Sequence, residues 1–205
     1  MMTTTPLEPR VPTIRRRETL TQGKKYDYVR LHVTTPTGAE MTREVVRHPG
    51  AVVVVAITDA PERRVVLIRN FRIALAAGGG PGEWLYECCA GTIERERLGD
   101  GSFGTSEDPG ACAGRELIEE TGYQASRIDP LGTFWTTPGL TNELMHAFVA
   151  TGLTHVGQRL EPDEQIQVEL VPGARVLAMI DSGEIRDAKS MLAVLMAHRQ
   201  GMLGV

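Results

Sequence analysis

An α/β/α sandwich built on one mixed sheet, preceded by a small antiparallel β unit, is the fold class that this chain of 205 residues predicts. Three observations carry it. Residues 51–57 form an unbroken apolar run, the pattern of a strand buried on both faces. Short β-type runs separated by Gly and Pro turns occupy most of the chain. Helical patterns are few: one ends at Gly122, and two follow over residues 171–180 and 184–199.

Composition narrows the functions. With 41% apolar and 23% charged residues, this is an ordinary globular chain, long enough for one full domain and an appendage. Its longest apolar run falls far short of the roughly 20 residues that span a bilayer, so no membrane partner is expected. A net charge of -4 and a pI near 5.8 argue against nucleic-acid binding, and Arg15-Arg16-Arg17 is too short to reverse that. Cys88, Cys89 and Cys112 match neither a zinc site nor a redox pair and read as buried thiols in a reducing cytoplasm. The first 17 residues lack the apolar core of a secretory signal, and residues 1–12 read as a disordered tail.

Taken in order, residues 13–20, 26–34 and 40–47 predict three strands separated by turns at Gly23-Lys24 and Pro36-Thr37-Gly38. A unit this small needs a further surface to pack on, so residues 13–48 are expected to serve dimerisation, with a homodimer as the assembly. Tyr26 and Tyr28 are candidates for stacking on a base, although in strands they also serve as plain packing residues. The main domain covers residues 49–205. Its strands are expected over 51–58, 64–71, 84–91, 127–135, 144–150 and 166–170, with an open loop over 76–82. The last helix presents Ile185, Ala188, Met191, Leu192, Leu195 and Met196 as an apolar stripe.

The chemistry concentrates in Ala113-Gly114-Arg115-Glu116-Leu117-Ile118-Glu119-Glu120-Thr121-Gly122-Tyr123. At about 100° per residue, Glu116, Glu119 and Glu120 share one face, opposite Ala111, Gly114, Ile118 and Thr121. Three carboxylates so close repel unless a cation sits among them, and carboxylate oxygens are the ligands that Mg²⁺ and Mn²⁺ prefer. A solvated acidic face is the plainer alternative. Gly122 is placed to stop the helix in a left-handed conformation, and Ser106 is the expected N-cap. Arg115 would neutralise the face and hold Glu116 or Glu119.

Glu107, seven residues, then Arg115-Glu116-Leu117-Ile118-Glu119-Glu120-Thr121-Gly122-Tyr123 resembles the signature of the Nudix hydrolases. Arg47-His48-Pro49-Gly50-Ala51-Val52, Arg72, and Trp84-Leu85-Tyr86-Glu87 leading to Ala90-Gly91 are similar to the ADP-ribose and nucleoside-diphosphate-sugar pyrophosphatases of that family. The resemblance implies a metal-dependent enzyme that cleaves a diphosphate, with a small-molecule nucleotide as substrate and Mg²⁺, or Mn²⁺ in its place, as cofactor. It implies that Glu116, Glu120, Glu164 and the Ala90 carbonyl hold metal. By the same likeness Arg47 and Arg72 hold the diphosphate or sugar-phosphate region, Glu87 contacts a ribose, and the Pro138-Gly139 loop lies over the substrate. These roles suit the groups, since a guanidinium fork matches phosphate oxygens. The general base lies among Glu164, Glu161, Glu119 and Glu120, because Pro162 stands where some relatives are acidic.

The chain departs from the family pattern between Gly91 and Glu107, where 15 residues replace five. The inserted run from Arg95 to Gly104 reads as an exposed loop. The functional expectation is hydrolysis of ADP-ribose to AMP and ribose 5-phosphate. A pyrophosphatase for UDP-glucose or GDP-mannose and a non-catalytic Nudix-like sensor are the alternatives, although the three glutamates of the helix all remain.

Overall fold

The computed structural model describes residues 10–59, 61–98, 103–162 and 164–205. Most of the expected N-terminal tail and the tip of the insertion, residues 99–102, lie outside the described residues. Two compact units form: residues up to 48 with 137–143, and residues 49–136 with 144–205.

The first unit is an antiparallel sheet of β1 (Thr13–Gln22), β2 (Asp27–Thr34) and β3 (Glu40–Arg47), in that order. Gln22 stands opposite Asp27, and Thr34 opposite Glu40, so both connections are tight hairpins. In β2 the alternation of the strand buries Asp27 and Val29 and leaves Tyr28 exposed between them. The Thr137–Glu143 segment, assigned from sequence to the larger domain, belongs here: the Val46 N–H donates to the Leu140 carbonyl at 2.8 Å, and Thr141 bridges Val46.

The second unit contains β4 (Ala51–Ile57), β5 (Arg64–Arg72), β6 (Glu83–Glu87), β7 (Cys89–Thr92), β8 (Arg95–Arg97), β9 (Phe103–Ser106), α1 (Pro109–Thr121), β10 (Tyr123–Trp135), β11 (Leu144–His155), β12 (Ile166–Pro172), α2 (Gly173–Asp181) and α3 (Ala188–Arg199). Its main sheet runs β10-β11-β4-β5-β12, and β11 with β4 is the parallel pair that makes it mixed. β4 and β5 pair at Ala56 with Val66 and Ile57 with Val65, then part. Beyond that point β7 lies on β4 and β6 lies on β5. The stretch 84–91, expected as one strand, is therefore two, broken at Cys88 where the chain crosses the split.

Every residue of β4 is buried, as its apolar run predicts, and the pleat divides them between two layers. Val53, Val55 and Ile57 join Val65 and Leu67 under Val176 and Met179 of α2 and Ala193, Val194 and Ala197 of α3. Val52, Val54 and Ala56 join Val66 and pack on Cys112, Ala113 and Leu117 of α1. Helices on both faces of one mixed sheet form the α/β/α sandwich. No helix among the described residues is long and apolar enough to cross a membrane.

Four local expectations are corrected. Asp108, not Ser106, caps α1; Ser106 ends β9, and Pro109 takes the first helical position. The inserted run is not simply a loop, because β8 and β9 pair with Arg95 opposite Ser106, and the Glu107 N–H donates to the Glu94 carbonyl at 2.9 Å. Part of the loop expected over 76–82 is a 3₁₀ turn, Ile73–Gly78. In α3 the inward residues are Ser190, Ala193, Val194 and Ala197, whereas Leu192 and Leu195 are about two-fifths exposed. Small side chains let the helix lie close to the sheet; of the expected stripe, Ile185 is buried in the core and Met191 packs against it, whereas Leu192 and Leu195 face outward.

Candidate active site

The acidic helix is held at both ends. The Asp108 carboxylate accepts the Ala111 N–H at 3.0 Å, and Gly122, at φ +73°, donates its N–H to the Ile118 carbonyl. Between the caps, Arg115 gathers three carboxylates. Its Nε and Nη2 donate to the two oxygens of Glu107, each at 3.0 Å, and its Nη1 donates to Glu116 Oε1 and Glu119 Oε2, each at 2.8 Å. Arg115 bonding holds Glu107 below the usual carboxylate range. Glu107 also accepts the Glu94 N–H at 3.2 Å, so the base of the inserted hairpin is tied to the same guanidinium.

The inner edge of this face is not solvated. Cys112, Ala113, Leu117, Glu120 and Thr121 form the buried side of α1, so Glu120 lies with the core residues rather than opposite Thr121 as its face was drawn from sequence. Its Oε2 accepts the Ala90 N–H from β7 at 2.9 Å, and among the described residues no Lys or Arg pairs with it. Burial, reinforced by Glu116 and Glu164, pushes its carboxyl up to about 8. Glu116 is raised too, first by burial and then by Glu119 and Glu164, against the pull of Arg115. Gly91 completes this edge. A Cβ there would lie 1.9 Å from the Glu116 carboxyl carbon, so only a bare backbone lets Glu116 reach β7.

Glu164 comes from the acidic loop before β12, far away in sequence, yet its charge is among those that raise Glu116 and Glu120. The fold thus brings the loop to the helix. Glu164 Oε2 accepts the Glu161 N–H at 2.8 Å, and the Glu164 N–H returns to the Glu161 carbonyl at 3.1 Å, which fixes the two glutamates in one turn. Among the described residues no three His, Cys, Asp or Glu side chains are gathered into a closed metal cage; Arg115 instead holds Glu116 and Glu119. The donor set nevertheless fits a hard divalent cation. It is all oxygen, and its most buried member is a carboxylate that forms no ion pair among the described residues.

At the split of the sheet, Arg72 ends β5 and Glu87 ends β6. Arg72 Nε and Nη2 donate to Glu87 Oε1 and Oε2, each at 2.6 Å, and Lys189 Nζ donates to Glu87 Oε2 at 2.5 Å. Burial alone would raise Glu87, but the two cations outweigh it and hold the carboxylate below its ordinary range. Arg72 keeps 38% of its side chain exposed, while that of Glu87 has none, so Glu87, expected from the sequence to contact a ribose, instead spends both oxygens on Arg72 and Lys189. The charge of Glu120 reaches Arg72, so this pair borders the carboxylate cluster.

The remaining candidates lie in the first unit. Arg47 Nε donates to the buried Asp27 at 3.0 Å, and its Nη2 also bonds that carboxylate. The Tyr26 ring stacks on His48 with centroids 4.6 Å apart, and the Tyr28 hydroxyl donates to Glu44 at 2.6 Å. Gly139 sits in the turn whose following Asn142 clamps the His48 peptide, accepting its N–H at 2.8 Å and donating to its carbonyl at 3.1 Å. Asp27, Asn142 and Lys189 are the partners that sequence reading missed. Lys189 carried a signal: a cation in the first turn of a helix opposes the macrodipole and calls for an acidic neighbour.

An α/β/α sandwich that sets an Arg-clamped glutamate helix beside a split sheet defines a hydrolase scaffold of one well-known class. Residues 47–194 match the model of the NUDIX domain, and the chain belongs to the Nudix family. It is 33% identical over 180 residues to the ADP-ribose pyrophosphatase of Bacillus subtilis (strain 168), covering 87% of this chain and 88% of that one. It is 35% identical to the methanol dehydrogenase activator of Bacillus methanolicus, covering 79% of each chain. To the GDP-mannose pyrophosphatase of Escherichia coli O1:K1 / APEC it is 33% identical, covering 81% of this chain and 86% of that one. The crystal structure of an ADP compounds hydrolase shares the fold, with a TM-score of 0.73 at 18% identity, covering 94% and 95%. Nudix hydrolases generally use divalent metal ions.

Proposed function

We propose that this Nudix pyrophosphohydrolase cleaves the diphosphate of a nucleoside diphosphate sugar, with ADP-ribose as its preferred substrate and AMP and ribose 5-phosphate as products. One observation carries the site assignment: a buried carboxylate, Glu120, that forms no ion pair among the described residues, beside Glu116 and within electrostatic reach of Glu164. ADP-ribose is favoured by the likeness to the B. subtilis pyrophosphatase over nearly the whole of both chains.

Glu116, Glu120, Glu164 and the Ala90 carbonyl would hold Mg²⁺, which screens the diphosphate charge and makes an attacking water more acidic. The residues of the chain supply the rest. Glu164 takes the proton of the attacking water, with Glu161, Glu119 and Glu120 as the other carboxylates in reach of that role. Arg72, two of whose nitrogens are fixed by Glu87, offers the remainder of its fork to a phosphate oxygen. Arg115 keeps Glu116 and Glu119 from collapsing apart or together. In the first unit, Arg47, its guanidinium set by Asp27, is the proposed holder of the diphosphate or sugar-phosphate region, Tyr26 and Tyr28 are the proposed stacking residues for the base, and Gly139 belongs to the proposed covering loop. A homodimer is the proposed assembly, since β1 offers a ten-residue edge with no further strand beside it among the described residues. The site of action is the cytoplasm, in keeping with three free cysteines.

A panel of ADP-ribose, GDP-mannose and UDP-glucose, assayed with Mg²⁺, tests the reading. ADP-ribose should give the highest kcat/KM. A preference for GDP-mannose would place the chain with the E. coli relative, and no turnover of any of the three would refute the proposal.

A further inference from the structure

A closed ring of buried and half-buried polar groups ties the start of α3 to the split of the sheet. Lys189 Nζ bonds Glu87 Oε2 at 2.5 Å and Asp187 Oδ1 at 2.9 Å. Asp187 Oδ2 accepts the Ser190 N–H at 3.0 Å and its hydroxyl at 2.5 Å, and Ser190 Oγ accepts the Cys88 N–H at 2.7 Å. Cys88 follows Glu87, so the circuit returns to the residue it began from. Glu87 and Ser190 have no exposed surface, and Lys189 keeps 15% of its side chain in contact with solvent. Arg72 and Lys189 balance Glu87 and Asp187 in charge. Such a network is costly to bury and does little for stability against an apolar equivalent of the same shape. What it does supply is geometry: both Glu87 oxygens are fixed, and they in turn fix two nitrogens of Arg72.

We infer that Lys189 is a positioning residue of this hydrolase, acting through Glu87 to aim the Arg72 guanidinium at the substrate diphosphate, with Asp187 setting Lys189. The inference rests on the proposed role of Arg72. Without Lys189, Glu87 keeps one cationic partner instead of two and is free to turn, and Arg72 turns with it. Because a phosphate contact is made in the bound substrate as well as in the transition state, the loss falls on binding more than on turnover.

The test compares Arg72→Met, Lys189→Met, Glu87→Gln and the double variant Lys189→Met/Glu87→Gln. KM for ADP-ribose is read with Mg²⁺, and Kd for its non-hydrolysable α,β-methylene analogue is read by calorimetry. Lys189→Met should raise KM and Kd on the order of tenfold with kcat changed less than about threefold, and it should add nothing in the Glu87→Gln background. Should Lys189→Met itself fail to fold, Lys189→Gln takes its place: KM and Kd should rise in the same direction with kcat held, and values unchanged from wild type would overturn the inference. A further rise of the same size in the Glu87→Gln background would mean that Lys189 touches substrate itself, and would overturn the inference. Normal KM and Kd in Lys189→Met, with Arg72→Met impaired, would overturn it and leave the role of Arg72 standing. Arg72→Met behaving as wild type would remove that role, and the inference with it.

Discussion

Glu116 rests against the backbone of Gly91 so closely that a Cβ at Gly91 would fall 1.9 Å from its carboxyl carbon. The contact joins the acidic face of α1 to β7, next to the Ala90 N–H that bonds Glu120. Gly91→Ala must therefore push Glu116 aside. Because the displaced atoms are the far end of a flexible side chain, the fold should lose no more than about 1 kcal/mol. Activity should suffer far more, with kcat/KM falling at least about 100-fold as a carboxylate leaves its place. Thermal melting beside steady-state kinetics separates the two effects; a variant with near-normal kcat/KM would show that Glu116 need not stay there.

Glu164 and Glu161 share one turn but not one role. The charge of Glu164 is among the leading ones at both Glu116 and Glu120, so Glu164→Gln should lower kcat much more than it raises KM, and Glu161→Gln should be milder. A reversed order would assign the base to Glu161. Two near-normal variants would move it to α1, to Glu119 or Glu120.

The Glu87 carboxylate sets an acid limb on stability. Its folded pKa lies below the unfolded value of about 4.3, so its contribution is present above that pH and is lost as pH falls through the folded value. Urea unfolding of wild type should thus show stability declining with acid below about pH 4.3 more steeply than in Glu87→Gln, even though the variant is less stable at neutral pH. Parallel curves would mean that the pairs with Arg72 and Lys189 persist in the unfolded chain or contribute nothing.

Much of this was legible in the sequence because the strongest signals are local. The apolar run of β4, the caps and breaks at Gly122 and Pro109, and the spacing of Arg115, Glu116, Glu119 and Glu120 all act within a few residues. What escaped depends on the fold bringing distant segments together. Asp27 meets Arg47 across a hairpin, and Lys189 meets Glu87 across 102 positions. The face of α3 was read only in part: Ile185 and Met191 do meet the core, but Ser190, Ala193 and Ala197 on its inward side are too small or too polar to stand out by apolarity. Ser106 lost the cap to Asp108 because pairing between β8 and β9 claims it as strand.

Association follows from the first unit. The unpaired edge of β1, with Ile14 exposed on the strand, predicts a particle of twice 22.4 kDa by light scattering at micromolar concentration. A mass near 22.4 kDa would reject the dimer.

The most direct measurement of the central claim follows AMP and ribose 5-phosphate from ADP-ribose in wild type and in Glu120→Gln, with Mg²⁺, with chelator, and with Mg²⁺ restored. Wild type should release the two products in equal amounts, stop in chelator and recover with Mg²⁺, while Glu120→Gln keeps its fold and loses turnover by at least about 1,000-fold. Release of AMP that persists in chelator, or a Glu120→Gln variant within about tenfold of wild type, would contradict the assignment of Glu120 and its neighbours as the metal-holding centre.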